Sequence, residues 1–186
     1  MAANPADLAT VADLIAWMGL ENVDQATTDQ LQRLVTATSI WIQEEISRTI
    51  RSLSYTETLD GHGGDRIMLC NYPVTAVASV SVDGQALPPS SGPGQPGFAL
   101  ANDLIVLRGY RFALGAANVV VVYTAGFATI PQDLTQACLE LASLRWKERD
   151  RIGHVSKSLG GETVTFMVKA MPDSVRQMLG HYRRVV

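Results

Sequence analysis

An α+β fold, a small helical bundle with an inserted antiparallel β subdomain, is the architecture this 186-residue sequence predicts. Three observations carry it. Apolar residues recur at helical spacing near both ends, at about 10–18, 28–48, 131–149 and 172–183. Between the second and third of these stretches, from Leu53 to Tyr123, the signals change to short apolar runs separated by Gly, Pro and Asp turns. A Gly160-Gly161 pair then separates two alternating segments, which reads as a β-hairpin ahead of the last helix.

Taken in order, Thr10 and Asp13 form a plausible capping box. Val11, Leu14, Ile15 and Met18 make one stripe of a short helix, and Gly19 is its natural stop. Thr27 or Thr28 opens a longer helix with Leu31, Leu34, Val35, Thr38, Trp41, Ile42 and Ile46 on one side, ending near Arg48. This pair is expected to pack together and onto the later long helix. In the insertion, Tyr55–Leu59 alternates, 60–65 is a Gly-rich turn, Ile67–Cys70 is a short strand, and Tyr72-Pro73 interrupts it. Val77–Val82 places Val80 and Val82 on one face, and Asp83-Gly84 marks a hairpin. The stretch 88–97, PPSSGPGQPG, reads as an exposed, mobile loop. Leu104–Leu107 and Val119–Tyr123 complete a small sheet. The unbroken β-branched and aromatic run of the last suits a strand covered on both faces.

The stretch from Asn118 to Arg149 is the centre of the chain. After Gly126, Pro131 fits the first position of a helix, where its missing N–H costs nothing. Asp133 sits where the helix dipole favours a negative charge. Leu134, Ala137, Cys138, Leu141 and Leu144 form the apolar face, with Gln136, Glu140, Ser143 and Lys147 opposite. Pro172 opens the last helix, striped by Val175, Met178, Leu179 and Tyr182. So short a helix is marginal alone, and its stripe needs a partner within the fold or on another chain.

Composition narrows the function. Apolar residues are 47% and charged residues 18% of the chain, ordinary for a globular protein. No apolar run approaches the roughly 20 residues of a membrane helix. The first 14 residues lack a basic region and carry Asp7 and Asp13, unlike a signal peptide. Cys70 and Cys138 are expected to be small buried hydrophobes, not a disulfide. The net charge of −3 conceals polarity: residues 1–144 hold 6 Lys/Arg against 14 Asp/Glu, whereas residues 145–186 hold 9 against 4. A basic end on an acidic body suits docking on an acidic partner or nucleic acid as well as a solvated surface.

The chemistry-bearing residues do not assemble into a reaction. Asp60, His62 and Asp65 are close in sequence but match no calcium loop; a turn whose aspartates accept backbone N–H groups is the simpler reading. GHGG and GPGQPG lack the spacing of a phosphate-binding loop. His62, His154 and His181 pair with no nucleophile in a known local motif. Glu44 and Glu45 read as solvated. Arg145, Lys147, Arg149 and Arg151 alternate and so spread around a helix, which argues against a recognition stripe for DNA. The sequence points to no enzyme, no cofactor and no metal.

The strings YTAGFATIPQDLTQACLELASLRWKERD and ETLDGHGGDRIMLCNYPVTAVASVSVDG, followed by a Gly-rich turn and the closing P-x-x-V-x-x-M-L-x-x-Y-R-R pattern, resemble the head–tail connector family. These are the adaptor, or head-completion, proteins of long-tailed double-stranded DNA phages and gene transfer agents. The resemblance spans most of the chain and implies a single adaptor domain, 1–186, with a β-rich insertion at 53–123 and a hairpin plus docking helix and tail at 151–186. It implies a structural virion protein of the neck, assembled in the host cytoplasm. Such a protein forms a ring, usually of 12 subunits, beneath the portal protein and extends the channel for double-stranded DNA without sequence specificity. It then joins the next neck or tail protein; no membrane is involved. By resemblance, portal docking falls on Val175, Met178, Leu179, Tyr182, Arg183 and Arg184. Lys157, Gly160 and Gly161, with the 88–97 loop, are candidates for contacts between subunits, with the channel or with the tail. The Pro/Gly loop and the full β insertion depart from the smallest members. A stopper or tail terminator is the alternative, although those are built mainly on β-sheet; a small ligand-binding protein is a more distant one.

Overall fold

The computed structural model describes residues 4–149, 156–159, 162–165 and 171–183. Its elements run α1 (Val11–Met18), α2 (Gln25–Glu45), β1 (Leu53–Gly61), β2 (Arg66–Met68), β3 (Val74–Val82), β4 (Gln85–Leu87), β5 (Gly97–Ala101), β6 (Leu104–Arg108), β7 (Gly115–Ala125), α3 (Gln132–Glu148), β8 (Ser156–Leu159), β9 (Glu162–Thr165) and α4 (Asp173–Gly180). The chain divides into two compact units: a helical one, residues 1–49 and 130–186, and a β unit, residues 50–129. The α+β class is as the periodicities predict.

In the helical unit α1 begins at the expected capping box. The Thr10 hydroxyl accepts the Asp13 N–H, and the Asp13 carboxylate accepts the Thr10 N–H. Gly19 closes it at φ 63°, a left-handed conformation that glycine adopts without strain. The second helix starts earlier than Thr27. Asp24 is the cap, its carboxylate accepting the Thr27 N–H at 2.8 Å, and hydrogen bonding from the Thr27 side chain first, then from its backbone, holds the Asp24 pKa below the ordinary value. It also ends earlier than Arg48, at Glu45. Pro131 is the cap of α3 rather than its first helical residue. Leu31, Val35, Thr38 and Ile42 of α2 and its C-cap Ile46 are buried, as are Leu134, Ala137, Cys138 and Leu141 of α3. Leu139 and Ala142 are buried as well. So is Ser143, expected on the polar side, whose hydroxyl donates to the Glu140 carbonyl at 2.9 Å.

A polar seam links the helices. The Leu8 N–H donates to the Ser39 hydroxyl at 2.9 Å, which in turn lies 3.4 Å from the Cys138 thiol. Thr135 donates to the Leu8 carbonyl at 3.0 Å, and Gln32 donates to the buried Asp7 carboxylate at 2.7 Å. Burial pushes the Cys138 thiol up to about 11. Cys138 is thus buried as expected. Cys70 is not; it is exposed.

The β unit holds two antiparallel sheets rather than one, ordered β1-β7-β3-β4 and β2-β6-β5. Val119, Val121, Tyr123 and Ala125 of β7 are buried, while the residues between them are half-buried. The run is therefore covered fully on one face only, as antiparallel sheets allow. Ile67, Leu69, Val80, Val82, Phe98, Ile105, Leu107 and Phe112 complete this core. Asp83-Gly84 forms the predicted hairpin turn, with φ 49° and 76°.

The 88–97 stretch is pinned rather than loose. Phe98 N–H donates to Pro88 O at 2.9 Å, Ser90 N–H donates to Phe98 O at 2.8 Å, and Arg108 holds the Ser90 hydroxyl and Gly92 O at 3.1 and 2.9 Å. Its last residue, Gly97, opens β5, a strand the sequence reading does not anticipate. Gly97 sits at φ 142° with its missing Cβ position 2.5 Å from Pro88 O, so the loop folds directly over the strand.

Candidate functional site

The carboxyl-terminal helix was expected to dock on a partner, and its first contacts are within its own unit. α4 lies on α3 and runs antiparallel to it: Ser174 donates to the Glu140 carboxylate at 3.2 Å at one end, and Tyr182 donates to both Asp133 carboxylate oxygens, at 2.9 and 2.8 Å, at the other. Arg48 adds a contact of 3.4 Å to the Tyr182 carbonyl. Val175 is 0% and Leu179 3% exposed, with Met171 buried beside them. The predicted stripe exists, and its centre is used to hold the helix in place. Burial, followed by the hydrogen bond to the Asp133 carboxylate, raises the Tyr182 pKa.

What remains outward is polar and charged, with Asp173 in the first turn and basic residues toward the other end. Arg176, Gln177, His181 and Arg183 are exposed, and Met178 and Tyr182 are half-buried at the border. Arg184 lies outside the described residues.

The other basic residues divide by the same logic. The Arg145 guanidinium lies 5.0 Å from the Trp41 ring centre, tying α3 to α2, and burial lowers its pKa. Arg149 sits 4.0 Å over Trp146 and donates to its carbonyl at 2.9 Å. Both indoles therefore take up cations that the sequence alone leaves facing solvent. Arg151 is outside the described residues.

The hairpin candidates are placed in part. β8 and β9 pair antiparallel, with Leu159 opposite Glu162 and Lys157 opposite Val164. Gly160 and Gly161 themselves lie outside the described residues. The residues weighed as a metal site do other work: Asp60 accepts the Ala117 N–H at 2.6 Å, His62 stacks on Phe112 at 6.4 Å between ring centres, and Asp65 lies 4.0 Å from Arg66. Among the described residues no group of three His, Cys, Asp or Glu is arranged to hold a metal ion. No helix among them is long and apolar enough to cross a membrane.

Two features were missed in the sequence. One is Asn118, whose side chain accepts the Gly61 N–H at 2.8 Å and donates to Asp83 and to Ala113 O at 3.0 Å each, knitting one end of the sheet. The other is Tyr123, whose hydroxyl donates to Glu57 at 2.6 Å and accepts from Asn71. A tyrosine closing the apolar run Val119–Tyr123 is the signal for such a buried hydroxyl partner.

The fold defines a class, a mixed module of helices and antiparallel sheets. Comparison with known proteins gives the particular family. A model of the head completion protein family matches residues 7–185, so the chain belongs to that family, and its role is structural, that of a head–tail adaptor. Among solved structures, it is similar to a chain in the "Neck of native GTA particle computed with C12 symmetry", with a TM-score of 0.61 and 21% identity over 100% of this chain and 94% of that one. A chain in the "Neck of empty GTA particle computed with C6 symmetry" gives 0.62 at the same identity and coverage. One in the "Virion of native gene transfer agent (GTA) particle" gives 0.57, again at 21% identity with coverage of 100% and 94%. No curated protein matches.

Proposed function

We propose that this chain is a ring-forming neck protein of a phage-like particle, seated beneath the portal, extending the channel for double-stranded DNA and receiving the next neck or tail protein. The observation that carries this reading is the family match over residues 7–185. The likeness to chains in necks computed with C12 and C6 symmetry supports a ring, usually of 12 subunits in such adaptors.

The portal contact falls on α4 and the tail behind it. Val175 and Leu179 support the contact from beneath by fixing α4 on α3; Met178, Tyr182, Arg183 and Arg184 meet the portal, joined by the exposed Arg176. Complementary charge would set register and orientation along a stack of rings. The Lys157, Gly160 and Gly161 hairpin is assigned to contacts with a neighbouring subunit, the channel or the tail.

The test is the mass of the full chain alone and with its portal, for wild type and for an Arg176→Glu/Arg183→Glu variant. Both substitutions leave the buried side of α4 intact. A ring-sized complex that the variant loses is expected. Equal binding by the variant removes α4 from the portal contact, and failure of the wild type to form any oligomer under either condition removes the adaptor ring.

A further inference from the structure

The edges of the two sheets in the β unit are not equal. β4 is only 3 residues long, and the stretch of β3 beyond it carries two register shifts that break up its edge. β2 is also 3 residues long and carries Arg66. The edge of β5 is covered by its own chain through the bridge between Pro89 and Phe98 and the flanking hydrogen bonds at Pro88 and Ser90. Each is a device that keeps an edge from pairing with another chain.

β1 has none of them before Leu59; its one register shift lies at its far end, between Leu59 and Gly61. Leu53 to Leu59 pairs with β7 residue for residue, without a register shift, and the strand LSYTETLDG holds no Pro, Lys or Arg. The direction of its free backbone groups follows from β7. Asn118 O accepts from Asp83, Val120 O from the Ser81 hydroxyl and Thr124 O from the Thr75 hydroxyl, so these carbonyls face β3. Alternation then turns Val119, Val121, Tyr123 and Ala125 toward β1, where they bond Leu59, Glu57, Tyr55 and Leu53. The N–H and C=O groups of Ser54, Thr56 and Thr58 therefore point away from the sheet, and all three residues are exposed.

We propose that β1 is a subunit interface: its outer edge accepts an extended segment of a second copy of this chain, so that a sheet continues from one subunit to the next around the ring. This rests on the ring reading above. The segment received is not β1 itself, because β1 against β1 would be a twofold contact that stops at a dimer, whereas a ring needs two different surfaces. Main-chain pairing supplies the attraction, and the fixed alternation of side chains supplies the register.

Thr56→Pro tests this directly. It removes one N–H that β7 does not use, at the kind of edge position where proline is tolerated. Thr56→Lys, which keeps the N–H but places a charge on the edge, is the second variant should the proline disturb folding. Sedimentation of the full chain over a concentration series, with and without portal, is combined with amide exchange at Ser54, Thr56 and Thr58. Wild type is expected to form oligomers larger than a dimer in which those three amides slow at least 10-fold, and both variants to remain monomeric with unchanged urea midpoints. Rings in which the three amides still exchange freely, or rings formed equally by the variants, overturn the β1 interface and leave the ring standing. Association that stops at two subunits also overturns it. A wild type that is monomeric in every condition defeats the ring reading and this inference together.

Discussion

Leu179→Ala separates the anchoring of α4 from its docking. At 8 residues α4 cannot hold its shape alone, and its attachment is a small set of contacts with α3. Deleting a buried leucine side chain to alanine costs about 2–5 kcal/mol. The site lies at one side of a terminal helix and can collapse partly, so about 3 kcal/mol is the appropriate figure, or roughly two decades in the docking equilibrium. The polar anchor is weaker. Tyr182 donates to the Asp133 carboxylate, but it is half-buried, and Tyr182→Phe is expected to cost about 1 kcal/mol. Because α4 is a short helix of 8 residues, the loss is local. Amides Gln177–Gly180 should exchange roughly 100-fold faster in Leu179→Ala, and a few-fold faster in Tyr182→Phe. Those of Val119–Tyr123 should not change. Unchanged α4 exchange in Leu179→Ala, or acceleration in β7 equal to that in α4, refutes the reasoning.

Other substitutions report on the interior. Cys70 is exposed and Cys138 buried with its pKa raised to about 11, so a thiol reagent at pH 8 should modify one cysteine per chain quickly and the second only on unfolding. Tyr123 is raised to about 12, by burial first and then by its bond to Glu57. A raised tyrosine pKa means the unfolded chain loses its proton first. The contribution is complete below about pH 10 and lost as pH rises toward 12, so the urea midpoint of wild type should fall across that window more steeply than that of Tyr123→Phe. Gly126 adopts φ 112°, and a Cβ there would strike the Arg51 carbonyl oxygen, so Gly126→Ala should lower stability by about 3 kcal/mol, read from its urea midpoint.

The legible parts of the fold were those set by local physics. The Thr10 box, the Gly19 stop and the Asp83-Gly84 turn each depend on atoms a few residues apart, and each stands where the sequence places it. The start of α2 was misplaced because Asp24, Thr27 and Thr28 can all cap a helix, and only geometry decides whose oxygen reaches an N–H. β5 was missed because GFALA has little strand propensity; its pairing with β6 and the turn of Pro88–Ser90 over it impose the extended form. The stripe of α4 was readable, but its partner was not, since periodicity shows that a face must be covered without showing by what. The partner of Arg145 in α3 was not readable for a related reason: Trp41 lies over a hundred positions before it, and no spacing rule joins them.

The two proposed contacts differ in their physics, and salt should divide them. An edge formed by Ser54, Thr56 and Thr58 binds through neutral backbone groups, whose hydrogen bonds salt barely screens. A contact built on Arg176 and Arg183 at the basic end is charge-driven, and at 1 M salt the screening length falls to about 3 Å. Raising salt from 0.1 to 1 M should therefore leave subunit association nearly constant while weakening portal binding at least 10-fold. Sedimentation of the chain alone reads the first, and binding to immobilised portal the second. Equal weakening of both would mean that charged side chains, not a continued sheet, join the subunits. Equal resistance would move the portal contact away from the arginines and onto the apolar border formed by Met178 and Tyr182.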